Sequence, residues 1–118
     1  IEPDHVYIIP PNKDLSVYKG KIQLLETIKK NPILTIDLFL RSLAKDQGAM
    51  AAAIILSGTG TDGTLGVKEV KAYDGLVLAQ DEESASYDGM PRSAIGTGLV
   101  DSILPPPEDA GKTGTVFQ

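Results

Sequence analysis

Apolar positions change their period several times along the chain, and each change marks a new element. His5-Val-Tyr-Ile-Ile9 is rich in β-branched and aromatic residues and stops at Pro10-Pro11, which cannot donate to a ladder; it predicts extended chain. Leu15 to Tyr18 and Lys21 to Leu25 flank Lys19-Gly20, a hairpin signal with glycine available for a positive φ. The period then becomes helical. Ile36, Phe39, Leu40, Leu43 and Ala44 fall on one stripe at i, i+3, i+4, i+7 and i+8. Thr35 is placed to act as the N-cap, Asp37 suits the positive end of that helix's dipole, and Gly48 marks the stop.

From Ala51 the order is strand, loop, helix, strand. Ala52 to Leu56 is apolar on both faces, as a central strand of a helix-covered parallel sheet must be. Gly58 to Gly63 is a turn, and Thr64 to Tyr73 predicts a helix with Leu65, Val70 and Tyr73 on its inner side. Asp74-Gly75 ends it, and Leu76 to Ala79 is a second buried strand, completing a βαβ unit that is right-handed by the usual rule. Pro91 suits the first turn of a short helix through Ile95, closed by Gly96 or Gly98. Val100 to Leu104 is a last strand before Pro105-Pro-Pro107, and residues 108–118 read as a linker or disordered tail.

Composition removes several function classes. A chain of 118 residues suffices for one compact domain. The longest apolar run, Ala49 to Leu56, is far short of the roughly 20 residues that span a bilayer, so no membrane insertion is expected. Without cysteine there is no disulfide, thiolate metal site or cysteine nucleophile, and a lone His5 leaves little for a metal. A net charge of −5 argues against nucleic acid. The charge is uneven: residues 1–59 carry 7 bases and 6 acids, residues 60–118 carry 4 bases and 10 acids. A start at Ile1 with no charged leader predicts a processed product or a piece of something longer, in the cytoplasm.

Gly58-x-Gly60-x-x-Gly63 follows a buried strand and opens a helix, with Asp81 about 20 residues on. That is the setting of a dinucleotide-binding fingerprint. Asp62 argues against it, because two unit charges about 4 Å apart repel by ~4 kcal/mol at an effective dielectric of about 20. Two other roles suit Asp62. A carboxylate at the C-terminal end of a parallel strand can accept the Nδ1–H of a histidine and fix its tautomer for acyl transfer. It can equally cap the helix that begins at Gly63, with Thr61 helping. Arg92 suits either a substrate carboxylate or the bracing of its own loop, and Met90 and Tyr87 either a pocket or loop packing. Asp81, Glu82 and Glu83 read as a solvated loop rather than a metal site. Gly111-Lys112-Thr113 has the form of a P-loop's end, but Pro106 stands where the first glycine belongs.

Leu56-Ser-Gly-Thr-Gly-Thr-Asp-Gly-Thr64, Ala79-Gln-Asp81, Ser84-Ala-Ser-Tyr-Asp-Gly-Met-Pro-Arg-Ser-Ala-Ile95 and Gly98-Leu-Val-Asp101 together closely resemble the chemotaxis receptor methylesterase family. The likeness is to the version fused to a receptor methyltransferase, and it covers roughly residues 4–107. It implies a three-layer, doubly wound α/β/α domain, its mostly parallel sheet accompanied by an antiparallel hairpin, of which residues 1–107 form the C-terminal portion. It implies hydrolysis of glutamyl methyl esters, and deamidation of glutamine, by a Ser-His-Asp triad without a cofactor. Asp62 takes the place of the triad aspartate, with Thr59, Gly60 and Thr61 as loop support. Some members carry methionine at the place of Thr59. The family's serine turn and histidine turn precede the matching segment, so this chain is expected to be inactive alone. Methylated chemotaxis receptors are the implied partners, with a receiver or methyltransferase domain in the parent chain. A dinucleotide-binding domain and a degenerate methylesterase-like interaction module are the alternatives.

Overall fold

The structure, a computed structural model, describes residues 1–2, 4–8, 13–26 and 35–105. The tail at 108–118, Pro106 and the Gly111–Thr113 motif lie outside these residues. Strands β1 (Lys13–Tyr18) and β2 (Lys21–Glu26) form an antiparallel hairpin. Lys19 and Gly20 both adopt positive φ, 50° and 73°, the twist that a two-residue hairpin turn requires. The turn amides of Lys19 and Gly20 donate to the carboxylate of Asp46, which ties the hairpin to helix α1 (Thr35–Gln47). Val17 N–H adds a bond to Ser42 Oγ, 2.9 Å away.

After a 3₁₀ turn at Gly48–Met50 comes a parallel sheet in the order β3 (Ala52–Ile55), β4 (Leu76–Gln80), β5 (Ser102–Leu104). Ala52 faces Leu76 in the first pairing and Leu78 faces Ser102 in the second. Helix α2 (Thr64–Ala72) connects β3 to β4, and helix α3 (Gly89–Gly96) connects β4 to β5. The α/β class, the hairpin and the βαβ order are therefore as the sequence implies. The core joins Phe39, Leu40, Leu43 and Ala44 of α1 to Val67 and Val70 of α2, Ala53 and Ile55 of β3, and Val77 and Ala79 of β4. Burying a side chain such as Val67, which is 0% exposed, stabilises by roughly 1.5–3 kcal/mol.

The inner face of α2 differs from expectation. Leu65 and Tyr73 are exposed, whereas Gly66, Val67 and Val70 face inward. The turn is set by α1. A Cβ on Gly66 would lie 2.6 Å from Leu40 Cβ, so glycine lets the two helices touch and fixes which side of α2 meets α1. Over His5–Ile8 the described residues hold no assigned strand, and Val6 and Ile8 are exposed; Ile9, Pro10 and Pro11 lie outside the described residues. Among the described residues no helix is long and apolar enough to cross a membrane.

Candidate functional site

The loop from Ser57 to Gly63 leaves the C-terminal end of β3, the edge at which open α/β sheets place their sites. A second loop, after β4, holds it in place. Gly58 N–H donates to Tyr87 C=O at 2.9 Å, and Met90 N–H donates to Gly58 C=O at 2.9 Å. Tyr87 N–H donates to Ser57 Oγ at 2.9 Å. The loops touch through bare backbone: a Cβ on Gly89 would stand 2.9 Å from the Gly60 amide nitrogen. Gln80 completes the seam, its Oε1 accepting the Ser57 N–H and its Nε2 donating to Ser84 Oγ.

Asp62 is half-buried in this loop, and its carboxylate does not cap the adjacent helix α2, contrary to the capping role its sequence position suggests. Its oxygens accept the first amides of α1: Ile36 N–H to Oδ2 at 3.0 Å and Asp37 N–H to Oδ1 at 2.9 Å. Thr35 is not the side-chain cap either, because its hydroxyl donates to Asp14 Oδ1 of β1 at 2.9 Å. The start of α2 is instead served by Asp37, whose Oδ1 accepts the amides of Gly63 at 2.9 Å and Gly66 at 2.8 Å. Each aspartate thus caps the helix that the other adjoins. Burial pushes the Asp37 carboxyl above its usual range. The Gly66 amide lowers it, the Asp62 charge raises it further, and the Gly63 and Leu65 amides oppose that. From sequence alone, Asp37 is only a charge that suits the positive end of its own helix. Nothing local to it marks a bond to residues 26 and 29 positions away.

The other candidates are distributed around this pair. Thr59, Gly60 and Thr61 are exposed in the loop, with Thr61 C=O accepting the Thr64 N–H at 3.2 Å. Arg92 donates to Asp88 Oδ2 at 2.6 Å and lies 3.8 Å from Glu82, an arrangement that braces its own loop. Met90 packs against the core and lines an apolar groove of about 690 Å³ that also contains Ile36, Phe39 and Ile54, whereas the Tyr87 side chain is exposed. His5 lies 3.5 Å from Glu2 and stacks on Tyr7. Among the described residues no group of three or more His, Asp or Glu side chains is placed to hold a metal ion.

Chemically, the arrangement offers an oriented carboxylate with spare capacity. A carboxylate has about four lone-pair positions, and two accepted amide bonds leave room for a further donor such as an imidazole N–H. Phosphate is served poorly. The Gly63 and Gly66 amides, which a dinucleotide site would aim at the pyrophosphate, already belong to Asp37. Asp81, the candidate ribose ligand, binds the Ser84 amide at 2.9 Å and the Ser84 hydroxyl.

The family described as CheB methylesterase matches residues 1–112. A protein-glutamate methylesterase/protein-glutamine glutaminase of Photorhabdus laumondii is 35% identical over 109 residues, covering 88% of this chain and 31% of that protein. Its counterpart in Ralstonia nicotianae is 35% identical over 108 residues, covering 87% and 28%. A 104.1 kDa protein from the hypE 3′ region of Rhodobacter capsulatus is 45% identical over 101 residues, covering 86% of this chain and 11% of its own. Among solved structures, the catalytic domain of the Thermotoga maritima CheB methylesterase superposes with a TM-score of 0.72 at 36% identity, over 84% of this chain and 55% of that one. The chain therefore spans about a third of the two protein-glutamate methylesterases and about half of the solved catalytic domain.

Proposed function

The chain belongs to the CheB methylesterase family, and on that premise we propose that residues 1–107 form the C-terminal portion of a protein-glutamate methylesterase/glutamine deamidase domain in which Asp62 orients the base of a Ser-His-Asp triad. The observation that carries this reading is the Asp62 carboxylate, pinned at the C-terminal end of β3 by two amides with lone pairs to spare. The nucleophile and the base come from the remainder of the domain, since this chain has one imidazole, His5, and no Gly-x-Ser-x-Gly turn.

In such a reaction the serine oxygen attacks the carbonyl of a glutamyl methyl ester while the histidine takes its proton. Collapse of the tetrahedral intermediate breaks the bond to methoxide, which leaves as methanol with that proton. Water then hydrolyses the acyl-enzyme by the same proton route, and glutamate is released. Asp62 holds the imidazole in the tautomer that can accept the proton and stabilises the imidazolium that results. Thr59, Gly60 and Thr61 form the exposed strap that carries it. The substrates are methylated chemotaxis receptors. A receiver or methyltransferase domain accompanies the esterase in the parent chain, and the long Rhodobacter relative supports such a multidomain setting.

The test is Asp62→Asn in the complete domain with a receptor methyl ester. Turnover should fall by about 10⁴, the scale seen when an orienting aspartate is neutralised in a serine protease. A wild-type rate would refute the triad role, and serine-dependent turnover by these 118 residues alone would refute the division of the triad.

A further inference from the structure

We infer that Asp37 is a positioning residue for the esterase reaction, holding the Asp62 carboxylate in its working direction through the crossed bonds between the starts of α1 and α2. This rests on the triad reading of Asp62. Asp37 acts on Asp62 from two sides. Its own N–H donates to Asp62 Oδ1 at 2.9 Å. Its carboxylate accepts the Gly63 N–H at 2.9 Å, and that N–H belongs to the peptide joining Asp62 to Gly63. The side chain and the following peptide of Asp62 are thereby fixed by one residue. The second bond of Asp37 Oδ1, to Gly66 N–H at 2.8 Å, anchors the anchor to the first turn of α2.

The cost of this arrangement points to a use. Asp37 is only 2% exposed, and its carboxylate sits beside a second carboxylate. An ordinary N-cap would serve α2 from the residue before it, at the surface and without burying a charge. Gly63 stands in that position and makes no side-chain cap bond. Moreover, both donors to Asp62 are backbone amides of α1, which is packed into the core, so the Asp62 carboxylate is referenced to the rigid part of the domain and not to its exposed loop. An orienting group must hold its partner within a fraction of an ångström, because a misplacement of about 1 Å costs roughly 10²-fold in rate.

The experiment compares Asp37→Ala, Asp37→Asn and Asp62→Asn in the complete domain, with kcat and KM measured separately on a receptor methyl ester and folding monitored by thermal melting. Asparagine keeps an oxygen at the place of Oδ1, whereas alanine removes it. Asp37→Ala should lower kcat by roughly 10²-fold with KM unchanged, and Asp37→Asn should restore most of that loss. If the alanine variant does not fold, Asp37→Glu, which keeps the charge and moves the carboxylate by one methylene, should show the same fall in kcat. A wild-type kcat in Asp37→Ala, or in Asp37→Glu where alanine does not fold, overturns the inference, as do equal losses with alanine and asparagine. The failure of the underlying reading has a different signature: Asp62→Asn itself would then turn over at the wild-type rate.

Discussion

Asp62 and Asp37 exchange helices: the carboxylate next to α2 caps α1, and the carboxylate in the first turn of α1 caps α2. The two oxygens of Asp62 serve different amides, so asparagine is an imperfect replacement despite being a good N-cap in general. Its nitrogen would face an amide N–H and leave that donor without an acceptor. Asp62→Asn is therefore expected to lower stability by about 1–3 kcal/mol, measured by denaturant unfolding. An unchanged midpoint would show that the amide finds another partner. Turnover of the variant should accordingly be read at temperatures where it is shown to be folded.

The pH dependence of Asp37 runs opposite to that of most carboxylates. Its folded-state pKa lies above the ordinary value of 3.8. The folded state therefore binds this proton more tightly than the unfolded state, and the associated stability is lost as pH rises through the raised value. Asp37→Asn removes that loss. The stability difference between Asp37→Asn and wild type should move in favour of asparagine from about pH 3 to about pH 7. A difference independent of pH would mean the buried carboxyl is not perturbed.

Asp101 behaves in the usual direction. The Val77 amide, 2.8 Å from Oδ2, and then Lys71, 2.9 Å from Oδ1, hold its carboxyl below 3.8. Its contribution is present above that value and lost as pH falls through the lowered one. Asp101→Asn should destabilise the domain near neutrality and cease to matter in strong acid. Equal destabilisation at both ends would assign the effect to packing and not to charge.

The crossing of α1 and α2 gives a fourth test. Gly66→Ala gains up to about 1 kcal/mol in helix propensity but places a methyl 2.6 Å from Leu40 Cβ. Overpacking of this kind costs roughly 1–3 kcal/mol, so a net loss is expected. Leu40→Ala in the same chain should relieve part of it, giving a coupling that a double-mutant cycle reads directly. Strict additivity would show that the helices separate freely at that point.

Ligand choice can be checked without activity. Calorimetric titration with nicotinamide or flavin dinucleotides should give no saturation at submillimolar concentration, because the α2 amides are bonded to Asp37. A saturating signal abolished by Gly60→Val would favour the dinucleotide reading.

Elements were legible from the sequence wherever one face or one period decided them. The α1 stripe from Ile36 to Ala44, the existence and pairing of β3 and β4 and the Lys19-Gly20 turn follow from local spacing, but among the described residues β3 is an edge strand and not a central one, and Leu56 and Leu76 are exposed. The inner face of α2 was not, because a glycine at the helix crossing carries no apolar signal although Gly66 is the contact point. The position of Asp62 on a loop after a strand was legible too. Its bonding was not, since propensity favours a cap on the adjacent helix and the actual donors lie 25 and 26 residues upstream. Capping rules describe neighbours in sequence, and here two helix starts meet in space and trade their carboxylates.

The seam between the loops after β3 and β4 has a consequence for how the domain opens. Gly58 N–H, Tyr87 N–H and Met90 N–H each bond across it, and Gln80 bridges it with both ends of its amide. Neither strap can lift without breaking the bonds of the other. In hydrogen exchange the amides of Ser57, Gly58, Tyr87 and Met90 should therefore form one protected unit with a shared opening free energy. The aspartate strap would inherit the rigidity of a segment more than twenty residues downstream, so a substitution such as Gln80→Ala should accelerate exchange on both sides of the seam at once.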